Sequence, residues 1–256
     1  MKLKQFFPKL NRFGVAGILV LAAFSLRAQN QGNALLANFG YGYFEPYEDL
    51  STRFGGFHSA GVGLDYLTPK NLIFGVRGDF FYGNNVRENT IVDARNELGF
   101  VYGTGGEPAV VSLKMRGISG FVYVGKLFPL GETDARQGIR ATIGGGILQH
   151  KIRVQNDPQM PTPQFGGEYT AGYDRLTNGF ALTQTVGYQF LAQNRRANFY
   201  LGLEITEGFT SNRRNANFFQ PPSAKNTGRL DLIVGLRGVW TLPFYLGVEG
   251  TENIYY

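Results

Sequence analysis

The chain has no cysteine among its 256 residues. That excludes disulfides, thiolate metal sites and a lipid-modified cysteine at a mature N-terminus, and it is compatible with an oxidising compartment. Histidine is nearly as scarce. His58 and His150 are the two present, and two distant imidazoles make no metal ligand set. Charged residues are few, at 17%. Beyond the first 28 residues no apolar run approaches the ~18 residues a membrane-spanning helix needs, so no helical span is expected.

An excess of one charge sign is lacking too, although the net charge of +6 suggests otherwise. Of the 25 basic residues, Lys2, Lys4, Lys9, Arg12 and Arg27 sit in the first 28, which hold no acid; the rest leaves 20 bases against 19 acids. A nucleic-acid partner is therefore not expected, nor is a protein held on a membrane surface by charge. The same segment reads as a secretory signal: bases first, then the uncharged apolar run Gly14 to Leu26, then Arg27-Ala28. Cleavage is expected after Ala28, and the run is too short to cross a bilayer as a helix.

What is abundant is glycine, at 36 residues, and aromatics, at 14%. Both suit many twisted strands. The stretch Ala197 to Phe209 shows the pattern plainly. Ala197, Phe199, Leu201, Leu203, Ile205 and Phe209 alternate with Asn198, Tyr200, Gly202, Glu204, Thr206 and Gly208; only Glu207 interrupts the apolar series. Period two is a strand with unlike faces. It recurs over seven other segments, about 35–44, 58–67, 72–82, 111–128, 139–154, 176–191 and 230–242. In strand four the expected outward face is Val111, Leu113, Met115, Phe121 and Tyr123, with Lys114 and Arg116 inward and room for a bulge within 117–120.

The connections near Pro69, Leu130 and Asn194 are short, and three of the four others are long. That is the habit of a membrane barrel with short turns on the periplasmic side. Alternation alone does not say which face is out. Three observations put the apolar face on lipid: the polar face carries glycines and charges of both signs, aromatics gather near strand ends, and the chain carries an export signal. The fold expected is an all-β, eight-stranded antiparallel transmembrane barrel over residues 29–242, or a ten-stranded one if 90–102 also pairs. Residues 243–256 then form a periplasmic tail or an extension of the last strand.

These alternating segments, the signal and the aromatic ends resemble the small outer-membrane barrels of the OmpA-transmembrane-domain, OmpX and OmpW type of Gram-negative cells, with a loop style similar to the Bacteroidota versions. The resemblance covers roughly 30–242, implies the outer membrane as location, and brings no catalytic motif. Such barrels often end on an aromatic residue; Trp240 fills that place, while Tyr256 is a second candidate.

Three groups of residues could carry function. Asp65, Asp79, Glu204 and Asp231 are expected to face a narrow lumen together with Arg77, Lys114, Arg116, Arg140 and Arg237. By position along each strand, Asp79, Lys114, Arg116 and Asp231 lie near the loops, Arg77 and Glu204 midway, and Asp65, Arg140 and Arg237 near the turns. Unpaired charge in such a space is costly, so pairing is expected, with Arg77 and Glu204 matched by height. The loop after strand seven holds Arg213, Arg214, Lys225 and Arg229 without an acid, a possible contact for anionic lipid such as lipopolysaccharide. His58 is adjacent to Ser59, so their side chains point to opposite faces, and His150 has no serine beside it. No catalysis, cofactor or metal is expected. The glycine run 144–146 precedes no helix and is no phosphate cradle. The expected role is a structural or interaction protein acting through outer loops or the tail, with an envelope protein as a candidate partner. The alternatives are a small-solute channel and a barrel subunit of a secretion or envelope machine.

Overall fold

The computed structural model describes residues 32–130, 136–156, 160–191, 198–214, 217–218 and 228–246. The predicted signal segment and residues 247–256, Tyr256 included, lie outside the described residues. Eight long strands follow one another: β1 Asn33–Tyr47, β2 Phe57–Leu67, β3 Leu72–Gly83, β4 Val111–Pro129, β5 Gly138–Asn156, β6 Thr177–Leu191, β7 Asn198–Asn212 and β8 Gly228–Leu246. They pair antiparallel with their neighbours in sequence, and β8 closes on β1. Closure leaves no open sheet edge around the ring, although strand ends such as 111–114 and 241–246 run past one neighbour and pair on one side only. The segment 90–102 adds no barrel strand: Val101–Tyr102 pairs with Pro108–Ala109 in a separate small hairpin. β8 runs on past Trp240 and Leu242 to pair Leu246 with Asn33.

The periodicity is realised with apolar residues outward. Leu201, Leu203, Val62, Ile147 and Leu236 are exposed at 58, 51, 61, 64 and 57%, while Asp65, Glu204, Asp231 and Thr241 are buried. Such an exterior would be untenable in water and suits hydrocarbon. The turn between β2 and β3 is built by its sequence. Asn71 takes the left-handed conformation (φ 60°), which asparagine tolerates, and the Thr68 amide donates to the Leu72 carbonyl at 2.9 Å.

Strand four corrects the sequence reading. Its pairing with β3 and β5 is continuous through 117–120, with no bulge. The inward residues are Met115, Phe121 and Tyr123, all buried, and the outward ones include Ile118, Val122 and Val124. Lys114 and Arg116 therefore point away from the lumen. The aromatic residues on this strand serve as lumen filling, which a count of greasy positions mistakes for a lipid face.

The lumen is layered. Ala34, Leu36, Leu67, Ile73, Leu127 and Leu191 close the turn end, and Phe44, Phe57, Phe81, Met115, Leu148 and Ile152 close the loop end. Between them lies the charged layer. A short helix, α1 (Glu48–Arg53), follows β1 and drops Leu50 and Arg53 into the mouth. Above it the loops have a core of their own: Ile91, Val101, Val111, Phe165 and Tyr173, with Phe218 against them.

Candidate functional site

The charged layer is where the polar faces of distant strands meet. Glu204 on β7 accepts from Arg77 on β3 through both guanidinium nitrogens, at 3.0 and 2.6 Å. The Arg237 Nε on β8 donates to the same carboxylate at 2.6 Å, and its Nη1 donates to Asp79 at 2.8 Å. Asp79 lies 3.3 Å from Arg77 Nε as well. Two cations and two anions thus form one neutral ring across the bore. A second group sits beside it: Arg140 pairs with Asp65 at 2.8 Å, while Asn38 and the Tyr123 hydroxyl donate to the same carboxylate.

Rings flank these cations. Arg77 lies 5.1 Å from the Phe121 centroid, Arg140 5.4 Å from Tyr200 and Arg237 5.6 Å from Phe44, distances at which cation–π attraction operates. Glycine makes the space. A methyl group at Gly61 would collide with the Asp79 carboxylate, and one at Gly75 with Asp65 and Tyr123. A cavity of about 40 Å³ remains among Asn38, Asp79, Arg140, Tyr200 and Arg237.

Asp65, Arg77, Asp79, Arg140, Glu204, Asp231 and Arg237 are all inward, whereas Lys114 and Arg116 are not. Strand position puts Arg237 near the turns and Asp79 near the loops, yet Arg237 reaches Asp79 at 2.8 Å. Strands in a closed barrel are tilted and sheared, so equal distance along two strands is not equal height.

Near the mouth, His150 Nε2 lies 2.8 Å from Asp231 Oδ2, which also accepts from Thr210 at 2.6 Å. Phe54 stands edge-on to the imidazole at 5.7 Å. The sequence reading passed over this pair, although His150 shares the inward parity of Arg140 and Thr142. Its geometry is that of a buried clamp. Threonine and histidine both bind the one carboxylate oxygen, which ties β5, β7 and β8 together at the loop end. His58 faces outward, with Nδ1 2.9 Å from the Tyr41 hydroxyl.

The loop cap is pinned by charge. Glu88 bridges Arg53 and Arg175, each at 2.8 Å, and Arg53 Nη1 donates to the Arg175 carbonyl at 3.0 Å and to Thr177 at 2.8 Å. Partial burial pushes the Glu88 carboxyl pKa up, but Arg53 and Arg175 outweigh it and hold it below the ordinary value.

Three of the four bases of the expected anionic-lipid cluster have partners within the fold. Arg214 Nε donates to Asp174 at 2.8 Å, Arg213 bonds to Asn178, and Arg229 donates to the Asp49 carbonyl at 2.7 Å and lies 3.7 Å from Asp231. The segment has no acid of its own, but the fold supplies acids from elsewhere. Lys225 lies outside the described residues.

Comparison with protein-family models and with curated proteins finds no match. Among solved structures, Ail of Yersinia pestis in complex with the heparin analogue sucrose octasulfate aligns at 10% identity and TM-score 0.40, covering 84% of this chain and 99% of Ail. OprG of Pseudomonas aeruginosa aligns at 11% identity and TM-score 0.35, covering 86% and 99%. AlkL in lipid bilayers aligns at 13% identity and TM-score 0.37, covering 89% and 97%. The chain's own closed ring of eight strands, its apolar outer wall and its filled polar lumen make it a small membrane-spanning β-barrel.

Proposed function

We propose that the protein is a sealed, non-catalytic barrel that acts through its folded loop cap as an interaction protein of the outer membrane. The observation that carries this reading is the neutral ring of Arg77, Asp79, Glu204 and Arg237 across the bore. Opening it for a solute would break several charge-assisted hydrogen bonds in a space of low dielectric, and those are among the stronger ones a protein makes. With apolar layers above and below, conduction is disfavoured, so the channel alternative is set second. Function then falls to the loops. They hold together through their own core, yet leave Leu98 exposed at 80%, Tyr169 at 62% and Phe100 at 49%. Exposed apolar groups on an ordered surface suit a protein partner.

The test is electrical first. In planar bilayers the wild type should show no steady open steps, and a variant lacking both Arg77 and Glu204 should leak. Stable open steps in the wild type, with selectivity altered by Arg237 or Glu204 substitutions, would replace this reading with a channel.

A further inference from the structure

The outer wall of β4 and β5 changes character sharply along its length. From the turn end, the outward series on β4 runs Val124, Val122, Gly120, Ile118, Arg116, Lys114. On β5 it runs Ile139, Ala141, Ile143, Gly145, Ile147, Gln149, Lys151, Arg153. The register sets Arg116 opposite Lys151 and Lys114 opposite Arg153. Four bases therefore form a two-by-two square on the barrel exterior. Neither strand contains an acidic residue. Among the described residues no carboxylate lies within ion-pair distance of any of the four. Arg116 satisfies one nitrogen on the Met115 carbonyl at 2.7 Å.

Like charges directly opposite on a sheet repel, with Cβ atoms about 5 Å apart. A fold that sets two such pairs side by side, and no counter-charge, leaves the compensation to something outside the chain. The position says what that is. Arg116 is one outward step, about 7 Å at ~3.4 Å per residue, beyond Ile118. The square thus begins where the apolar band ends, at the depth of lipid headgroups on the long-loop side. On β7 and β8 the loop-end outward residues include Phe209 and Leu230, exposed at 51 and 42%, with Arg213 beyond Phe209 bonded to Asn178; the square is the place where four bases meet across one strand pair. Tyr82, opposite Arg116 on β3, stands at one side, stacked on His58 at 5.7 Å between centroids.

We propose that Lys114, Arg116, Lys151 and Arg153 form a binding site for the phosphorylated headgroup of a lipid A-type glycolipid in the leaflet facing the long loops. The arginines present planar forks to phosphate oxygens, and the lysines add compact charge. The bases take the place of the divalent cations that would otherwise bridge neighbouring phosphates, so retention should survive chelation. Tyr82 offers a ring at the edge for the sugar. This site is independent of whether the lumen conducts.

The test uses the full chain in nanodiscs containing diphosphoryl lipid A, enzymatically dephosphorylated lipid A, or phosphatidylethanolamine alone. After detergent extraction with a chelator, wild-type protein should retain phosphorylated lipid A at least tenfold over the dephosphorylated form by native mass spectrometry. The pairs Lys114→Gln with Arg116→Gln, and Lys151→Gln with Arg153→Gln, should each lower that retention about tenfold. Lys126→Gln, at the other end of β4, should not. Heat-modifiable gel migration reports folding. If the paired variants do not fold, acetylation of Lys114 and Lys151 in the wild type decides the matter: both should be protected by phosphorylated lipid A relative to the dephosphorylated form. Equal retention of the two lipids, equal retention by wild type and folded variants, equal acetylation rates, or an acidic protein captured at the square in place of lipid would each overturn the proposal.

Discussion

Removing the Glu204 carboxylate should be among the most damaging single changes in the lumen. Glu204 is 3% exposed and accepts from Arg77 and Arg237 at 2.6–3.0 Å. Glu204→Ala leaves two guanidinium groups sharing Asp79, a net charge of +1 in a closed space. Truncating one partner of a buried pair costs about 3–5 kcal/mol, and Phe121 and Phe44 beneath the cations recover only a part of that. Adding Arg77→Ala restores neutrality, because Arg237 and Asp79 remain paired at 2.8 Å. The double variant should therefore lose less than the sum of the singles, by about 1–3 kcal/mol. Urea titration of the four proteins of this cycle, folded into lipid vesicles and read by tryptophan fluorescence and heat-modifiable migration, measures the coupling. Losses that add within about 0.5 kcal/mol, or a Glu204→Ala cost under about 1 kcal/mol, would refute the claim that the ring acts as a unit.

Leu201→Arg, on the lipid face, should cost roughly 2–4 kcal/mol if the residue sits near mid-membrane; wild-type protein fractionating as soluble periplasmic material would defeat the membrane reading altogether. His58→Ala and His150→Ala should leave lipid A and phospholipid profiles unchanged in overproducing cells, and a modification abolished by either would bring catalysis to the front. The loop cap should loosen in acid. Glu88 is held below its ordinary value, so its contribution is complete above about pH 4.3 and is lost as pH falls through the lower folded value. Hydrogen exchange at residues 86–95 should rise there, and Glu88→Gln should remove the pH step.

Much of this molecule is legible in one dimension. The period of two over eight segments, the short and long connections, and the apolar outward set on β1, β2, β3, β5, β6, β7 and β8 all follow from residue order, because a strand offers only two faces. Inward Arg77 and Glu204 are legible for the same reason. What residue order does not decide is the sign of a face where both carry large side chains. Met115, Phe121 and Tyr123 read as a lipid face until closure sets Phe121 and Tyr123 against Arg77, Tyr123 on Asp65, and Met115 in the apolar layer at the loop end. The correction then turns Lys114 and Arg116 outward to meet Lys151 and Arg153. Pairings such as Arg53–Glu88–Arg175, His150–Asp231 and Arg214–Asp174 are equally invisible beforehand. Their partners come from separate loops and strands, and charge balance is struck in space, across a sheared barrel, between residues that the chain itself keeps far apart.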